Sequence, residues 1–206
     1  MCAAGVAGCL AFEGRQQVRG TWIAKPLASA AFLWAALAWG ALASPFGRWL
    51  SLGLACCAAG DVLLIPRGSR AVLHAGMLAF GAGHVAFACA FLRHGAVPLA
   101  GAGAALVALV LLAGVWRWLH PHLAPDDRMP VRLYLAVIGA MLASAIGAVA
   151  AGAPVAAGAG AALFAVSDLA VAQDRFVARS FASTLWGLPT YYAAQLLIAL
   201  GAATPA

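Results

Sequence analysis

Asp61 and Asp168 are carboxylic acids set inside long apolar runs, LSLGLACCAAGDVLLI and APVAAGAGAALFAVSDLAVA. An ionised carboxylate in hydrocarbon costs a few kcal/mol even on insertion scales, so intramembrane acids are rare and functional by default. Each is followed about two helical turns later by an arginine, Arg67 and Arg175. Such a pair suits proton chemistry. One protonated carboxyl delivers a proton to a reacting group while the other, ionised, steadies positive charge or guides water. The same pair could instead titrate while a solute crosses the bilayer. Lys25, His84, Tyr191, Tyr192 and Gln195 are further polar candidates within otherwise apolar stretches.

The elements that must position these residues are read from a chain with 65% hydrophobic and 9% charged residues among its 206. Its mean hydropathy is +0.97. A soluble domain carries about 25% charged residues, so this chain could not clothe a soluble surface. Apolar runs of about 20 residues recur almost end to end, which predicts an all-α, polytopic membrane protein. The short alternating segments of a β-barrel do not occur. Spans are expected at 22–42, 47–65, 71–92, 96–119, 130–151, 154–173 and 183–202, with no soluble domain left over. The stretch 1–12 is apolar but, at about 18 Å, too short to cross. It is counted as an incomplete first helix, clipped or begun from a start codon placed too late, of an eight-helix bundle that makes one membrane domain. No basic segment precedes it, so a cleaved secretory signal is not expected.

Composition also bounds partners and cofactors. The net charge of +6 comes from arginines scattered in short loops, with no basic stripe for nucleic acid. The five cysteines lie in apolar runs without a CxxC pair and read as packing residues. With one intramembrane histidine and no HxxxH or HExxH, neither a metal nor another cofactor is called for.

Charge placement gives orientation. Alternate loops hold Arg15, Arg19, Lys25, Arg67, Arg70, Arg117, Arg128, Arg132, Arg175 and Arg179, against Arg48 and Arg93 on the other side. The positive-inside rule puts the first set in the cytoplasm and the C-terminus outside. Asp61 and Asp168 then lie about 6–9 Å in from the cytoplasmic end of their helices, with Lys25 entering from the same side. Small residues at helical spacing, Gly53, Cys57 and Gly60 beside Asp61, and Ala161, Ala165 and Ala172 beside Asp168, point both acids at protein rather than lipid. Gly76, Phe80, His84, Phe87 and Phe91 form one face; Leu188, Tyr191 and Gln195 form another. The two acid-bearing segments resemble each other and run the same way, as in a parallel repeat.

Each candidate also has a structural reading. An aspartate can fix helix packing, Lys25 can snorkel to the interface, His84 can be a satisfied core residue, and Gln195 can join helices. Asp126, Asp127, His120 and His122 are expected in a solvated loop, with His74 and His94 interfacial.

The motifs Lys25-Pro26-Leu27, Gly60-Asp61 with Leu63-Leu64, Gly76…Phe80…Gly83-His84, Leu163-Phe164 with Ser167-Asp168, and Tyr192…Gln195 resemble, in order, those of the YhhN family. This family includes the eukaryotic transmembrane protein 86 lysoplasmalogenases. The resemblance runs from about Arg19 to Leu200. It implies an eight-helix membrane hydrolase that cleaves the vinyl-ether bond of lysoplasmalogens to a fatty aldehyde and a glycerophospho-base. Its substrate partner would be a lysophospholipid, its catalytic acids Asp61 and Asp168. Lys25, His84, Tyr192 and Gln195 would lie around them. Read from their own positions, Tyr191 and Arg67 join the substrate-binding set, with the lipid tail along the phenylalanines of 71–92. A vinyl ether hydrolyses by protonation at carbon, giving an oxocarbenium ion that water captures, and two carboxyls suit that chemistry. No GxSxG nucleophile motif is present. A carrier or proton-coupled transporter using the same acids is the alternative.

Overall fold

The computed structural model describes residues 7–8, 10–11 and 18–204. Among them are seven α-helices: α1 (Val18–Ala38), α2 (Pro45–Leu63), α3 (Arg70–His94), α4 (Pro98–Leu119), α5 (Pro125–Ala150), α6 (Val155–Ala172) and α7 (Phe181–Ala203). The expected partial helix over 1–12 lies largely outside the described residues. The first six are long and apolar enough to cross a membrane. The seventh has 23 residues but spends part of its face on Ser183, Tyr191, Tyr192 and Gln195, all buried.

Local chemistry sets the ends. Ser44, Ser69 and Ser180 cap α2, α3 and α7 by accepting hydrogen bonds from backbone N–H groups of the first turn. Two starts were misjudged from sequence. Helix α1 already includes Val18, four residues before the expected 22, so Lys25 and Pro26 lie beyond its first turn. Helix α5 begins at Pro125, not 130. Pro125 at its start needs no N–H partner, and Asp126 and Asp127 in its first turn complement the helix dipole. Asp127 is therefore not a solvated loop residue: it is 7% exposed and meets His74 Nε2 at 2.7 Å.

Two tight hairpins, α2–α3 and α6–α7, form the frame. Helix α1 packs on α2 and on α7; helix α5 packs on α6 and on α3. The six helices thus close a ring whose order is unchanged when its halves are exchanged. Helix α4 lies outside it, packed chiefly on α5. An advance of 107 residues maps one hairpin on the other, taking Gly53 to Gly160, Asp61 to Asp168 and His84 to Tyr191. The buried positions coincide: Leu50 with Ala157, Leu54 with Ala161, Cys57 with Phe164, Phe80 with Gly187, Phe87 with Ala194, Phe91 with Ile198. In this register Arg67 falls on Asp174, not on the Arg175 that sequence alone suggests. A π-helical turn, Gln173–Val177, follows α6 at that point and changes the residue phase.

Close helix approach depends on glycine. A Cβ on Gly60 would meet the Phe80 ring at 2.7 Å, and one on Gly160 would meet Ala194 O at 2.8 Å. The core between the hairpins is built from Phe32, Phe46, Phe87, Phe91, Met141, Phe164 and Tyr192.

Candidate active site

Asp61 sits in the last turn of α2, 3% exposed. Its Oδ2 accepts from Ser29 Oγ of α1 at 2.6 Å and from the Tyr191 hydroxyl of α7 at 2.8 Å. Asp168 stands at the equivalent place on α6. Its Oδ2 lies 3.0 Å from His84 Nε2 of α3, and the Tyr134 hydroxyl of α5 reaches both of its oxygens at 3.4 Å. Each carboxylate therefore takes one partner from the helix before its own hairpin and one from the opposite hairpin.

His84 is fully buried, stacked on Phe164 with centroids 4.3 Å apart, and its Nδ1 faces Met141 Sδ at 3.1 Å. The rings of Phe80, Phe164 and Tyr191 meet one another at 5.6–6.1 Å and fill the space between the two acids' partners. Helices α3 and α6 are bridged by these side chains rather than by close backbone approach, whereas α2 and α7 pack closely.

Both aspartates line one cavity of about 460 Å³. Lys25, Arg67, Tyr134, Asp174, Arg175 and Tyr191 line it too. Arg67 does not pair with Asp61: its Nη1 donates to Asp174 at 2.8 Å. Arg175 Nη2 donates to the carbonyl oxygen of Leu64 at 2.5 Å and so ties the π-helical turn to the end of α2. Apart from Ser167, Ser183 and Thr184, the rest of the wall is apolar.

Of the residues expected at the site, Lys25, Asp61, Arg67, Asp168 and Tyr191 reach the cavity. His84 touches it through Asp168. Tyr192 and Gln195 do not line it; both are buried. The phenylalanine face of α3 is likewise mostly core, with Phe80 alone of Phe80, Phe87 and Phe91 on the cavity wall.

A model of the YhhN family matches residues 20–202. The chain belongs to the YhhN family. Among curated proteins it is 37% identical over 167 residues to "Lysoplasmalogenase TMEM86A" of Bos taurus, covering 78% of this chain and 68% of that protein. It is 36% identical over 175 residues to "Lysoplasmalogenase" of Mycobacterium tuberculosis, covering 80% and 65%. Over 180 residues it is 37% identical to "Lysoplasmalogenase TMEM86B" of Homo sapiens, covering 85% and 71%. The matched region thus spans about two thirds of these relatives' length. No solved structure gives a significant match.

For this YhhN chain, sequence reasoning missed Ser29, Tyr134 and Asp174. Ser29 carried a usable signal, since it lies one turn beyond Lys25 on the same helix face. Tyr134 is the only tyrosine outside the Tyr191-Tyr192 pair. Asp174 becomes visible once the 107-residue register is known.

Proposed function

We propose that this integral, multi-pass membrane protein hydrolyses lysoplasmalogen-type lipids, releasing a fatty aldehyde and a glycerophospho-base. The observation that carries this reading is the convergence of Asp61 and Asp168 on one cavity with chemically different partners. The names of its relatives supply the substrate class.

In this mechanism Asp168 is the acid. His84 Nε2 lies 3.0 Å from Asp168 Oδ2 and 3.2 Å from the Tyr134 hydroxyl, so the imidazole can hand a proton to the carboxyl. Asp168 gives that proton to the vinyl carbon beyond the ether-bearing carbon. The double-bond electrons take it up, and an oxygen lone pair closes the oxocarbenium ion. Asp61 accepts two O–H donors at Oδ2, which suits its ionised form and leaves Oδ1 for the cation or the incoming water. Water adds to the cationic carbon, a proton returns to Asp168, and the hemiacetal splits into aldehyde and glycerol hydroxyl. General acid–base assistance of this kind is worth about 10²–10⁴-fold. Lys25 and the arginines at the mouth hold the lipid phosphate.

The bias of ten cations against two supports a mouth on the cytoplasmic side and a C-terminus outside, in the inner or plasma membrane if the chain is bacterial, with the whole chain read as one membrane domain. The test is aldehyde release by the purified protein from synthetic lysoplasmalogen, slowed in deuterium oxide because proton transfer to carbon limits the rate. A wild-type protein that releases no aldehyde from any vinyl-ether lipid, yet moves a solute across liposomes, would replace the enzyme with a carrier.

A further inference from the structure

Helix α4 lies outside the six-helix ring, and its position gives it a use. It packs on α5 but not closely on α6. The cavity continues from Asp168 into the gap between them, floored by α5. The stripe on α5 runs Val131, Leu135, Ile138, Leu142, Ile146, and the facing stripe on α4 reaches as deep as Ala104. Both stripes step by three or four residues, so each is one continuous helix face. From Val131 to Ile146 the groove is about 22 Å long, more than the ~15 Å depth of one lipid leaflet. Its far end is shut where α4 and α5 converge: Val97 N–H donates to Gly147 O at 3.0 Å, and a Cβ on Gly147 would lie 3.4 Å from Gly101 Cα.

We propose that this groove holds the single hydrocarbon chain of the lysolipid, with Ala104 beside the closed end setting the length of chain accepted. The assignment rests on the lysolipid reading above. Continuity with the site argues for this occupant: cations and both acids at one end, an apolar blind end at the other. A chain lying there brings its head-group end, where the vinyl ether is, to Asp168. The groove offers one lane, so a lipid with two chains leaves the second in the bilayer.

The experiment measures kcat/KM over a series of lysoplasmalogens of increasing chain length. Ala104→Phe fills the blind end, and kcat/KM for the longest chains should fall by about tenfold or more, since each excluded methylene forfeits roughly a fourfold advantage. Chains several carbons shorter should be hydrolysed as by wild type. Ala104→Leu should give a smaller shift of the same kind if the phenylalanine variant does not fold. Leu99→Phe, on the lipid side of α4 at 84% exposure, should change nothing. An equal fall at every length, or no change, overturns the assignment. A second arm does not need turnover: an ester lysophosphatidylcholine with a photoreactive diazirine at the chain terminus should label α4 and α5 around Ala104 and Gly147. Labelling of the Phe87–Phe91 region instead overturns the groove while leaving hydrolysis intact. Groove labelling by a wild type that releases no aldehyde keeps the groove and removes the reaction.

Discussion

In the first hairpin Asp61 is 3% exposed and held by two hydroxyls, where α2 and α7 pack closely. In the second, Asp168 keeps 14% side-chain exposure and faces an imidazole, where α3 and α6 are spaced apart by stacked rings. The backbone frame is the same in both, with an equivalent glycine eight residues before each acid, Gly53 and Gly160. The partners differ at one equivalent position, His84 in one half and Tyr191 in the other, each serving the acid of the opposite half, and at two that do not correspond, Ser29 on α1 and Tyr134 on α5. A repeated frame thus yields two unlike carboxyls by changing the side chains that reach each one. One has an imidazole among its partners; the other has hydroxyls alone.

The largest expected effect tests whether the two halves act together. Asp61→Asn and Asp168→Asn should each insert and fold, yet lose aldehyde release by orders of magnitude. The double variant should be little worse than the worse single one, because residues that act as a unit are not additive. Two variants that still work at wild-type rates would end the two-carboxylate mechanism. Exchange of the rings comes next. His84→Phe should lower kcat by roughly 10²-fold. Tyr191→Phe should lower kcat by only about tenfold. Equal losses would erase the distinction drawn between the halves.

A middle-sized effect concerns Lys25, which lines the cavity on the Asp61 side. Lys25→Met should raise KM for phosphate-bearing substrates by about tenfold with kcat changed less. Wild-type kinetics would return Lys25 to the membrane interface as a snorkelling residue. The smallest effect is one of stability. Gly160→Ala meets the Ala194 carbonyl and Ile198 backbone, whereas Gly53→Ala meets only the Phe87 side chain. The first should destabilise the detergent-solubilised protein by about 1–3 kcal/mol and the second by less, measured by thermal unfolding. The reverse order would show that the second hairpin is the softer one.

The helices were legible in sequence because long apolar runs leave few other structures in a bilayer, and Asp61 and Asp168 because charge in such runs needs a reason. The faces of α2 and α3 were legible from glycine and phenylalanine spacing. Ser29 and Tyr134 were not, since a hydroxyl in an apolar helix is ordinary until its partner is known. The family motif puts Tyr192 and Gln195 at the site, but of the three candidates on α7 only Tyr191 lines the cavity, beside Ser183, Thr184, Gly187 and Leu188. The partner of Arg67 was unreadable because Asp174 lies 107 residues away in a turn that is neither α-helix nor open loop.

That ion pair bears on how the chain avoids assembling with the wrong half. Arg67 and Asp174 occupy the same place in the two hairpins, and they meet each other. If two first halves from different chains came together during synthesis, arginine would face arginine at this contact. If two second halves did, aspartate would face aspartate. Only a first half with a second half sets opposite charges together, so the contact discriminates between correct and swapped pairings of two otherwise similar surfaces.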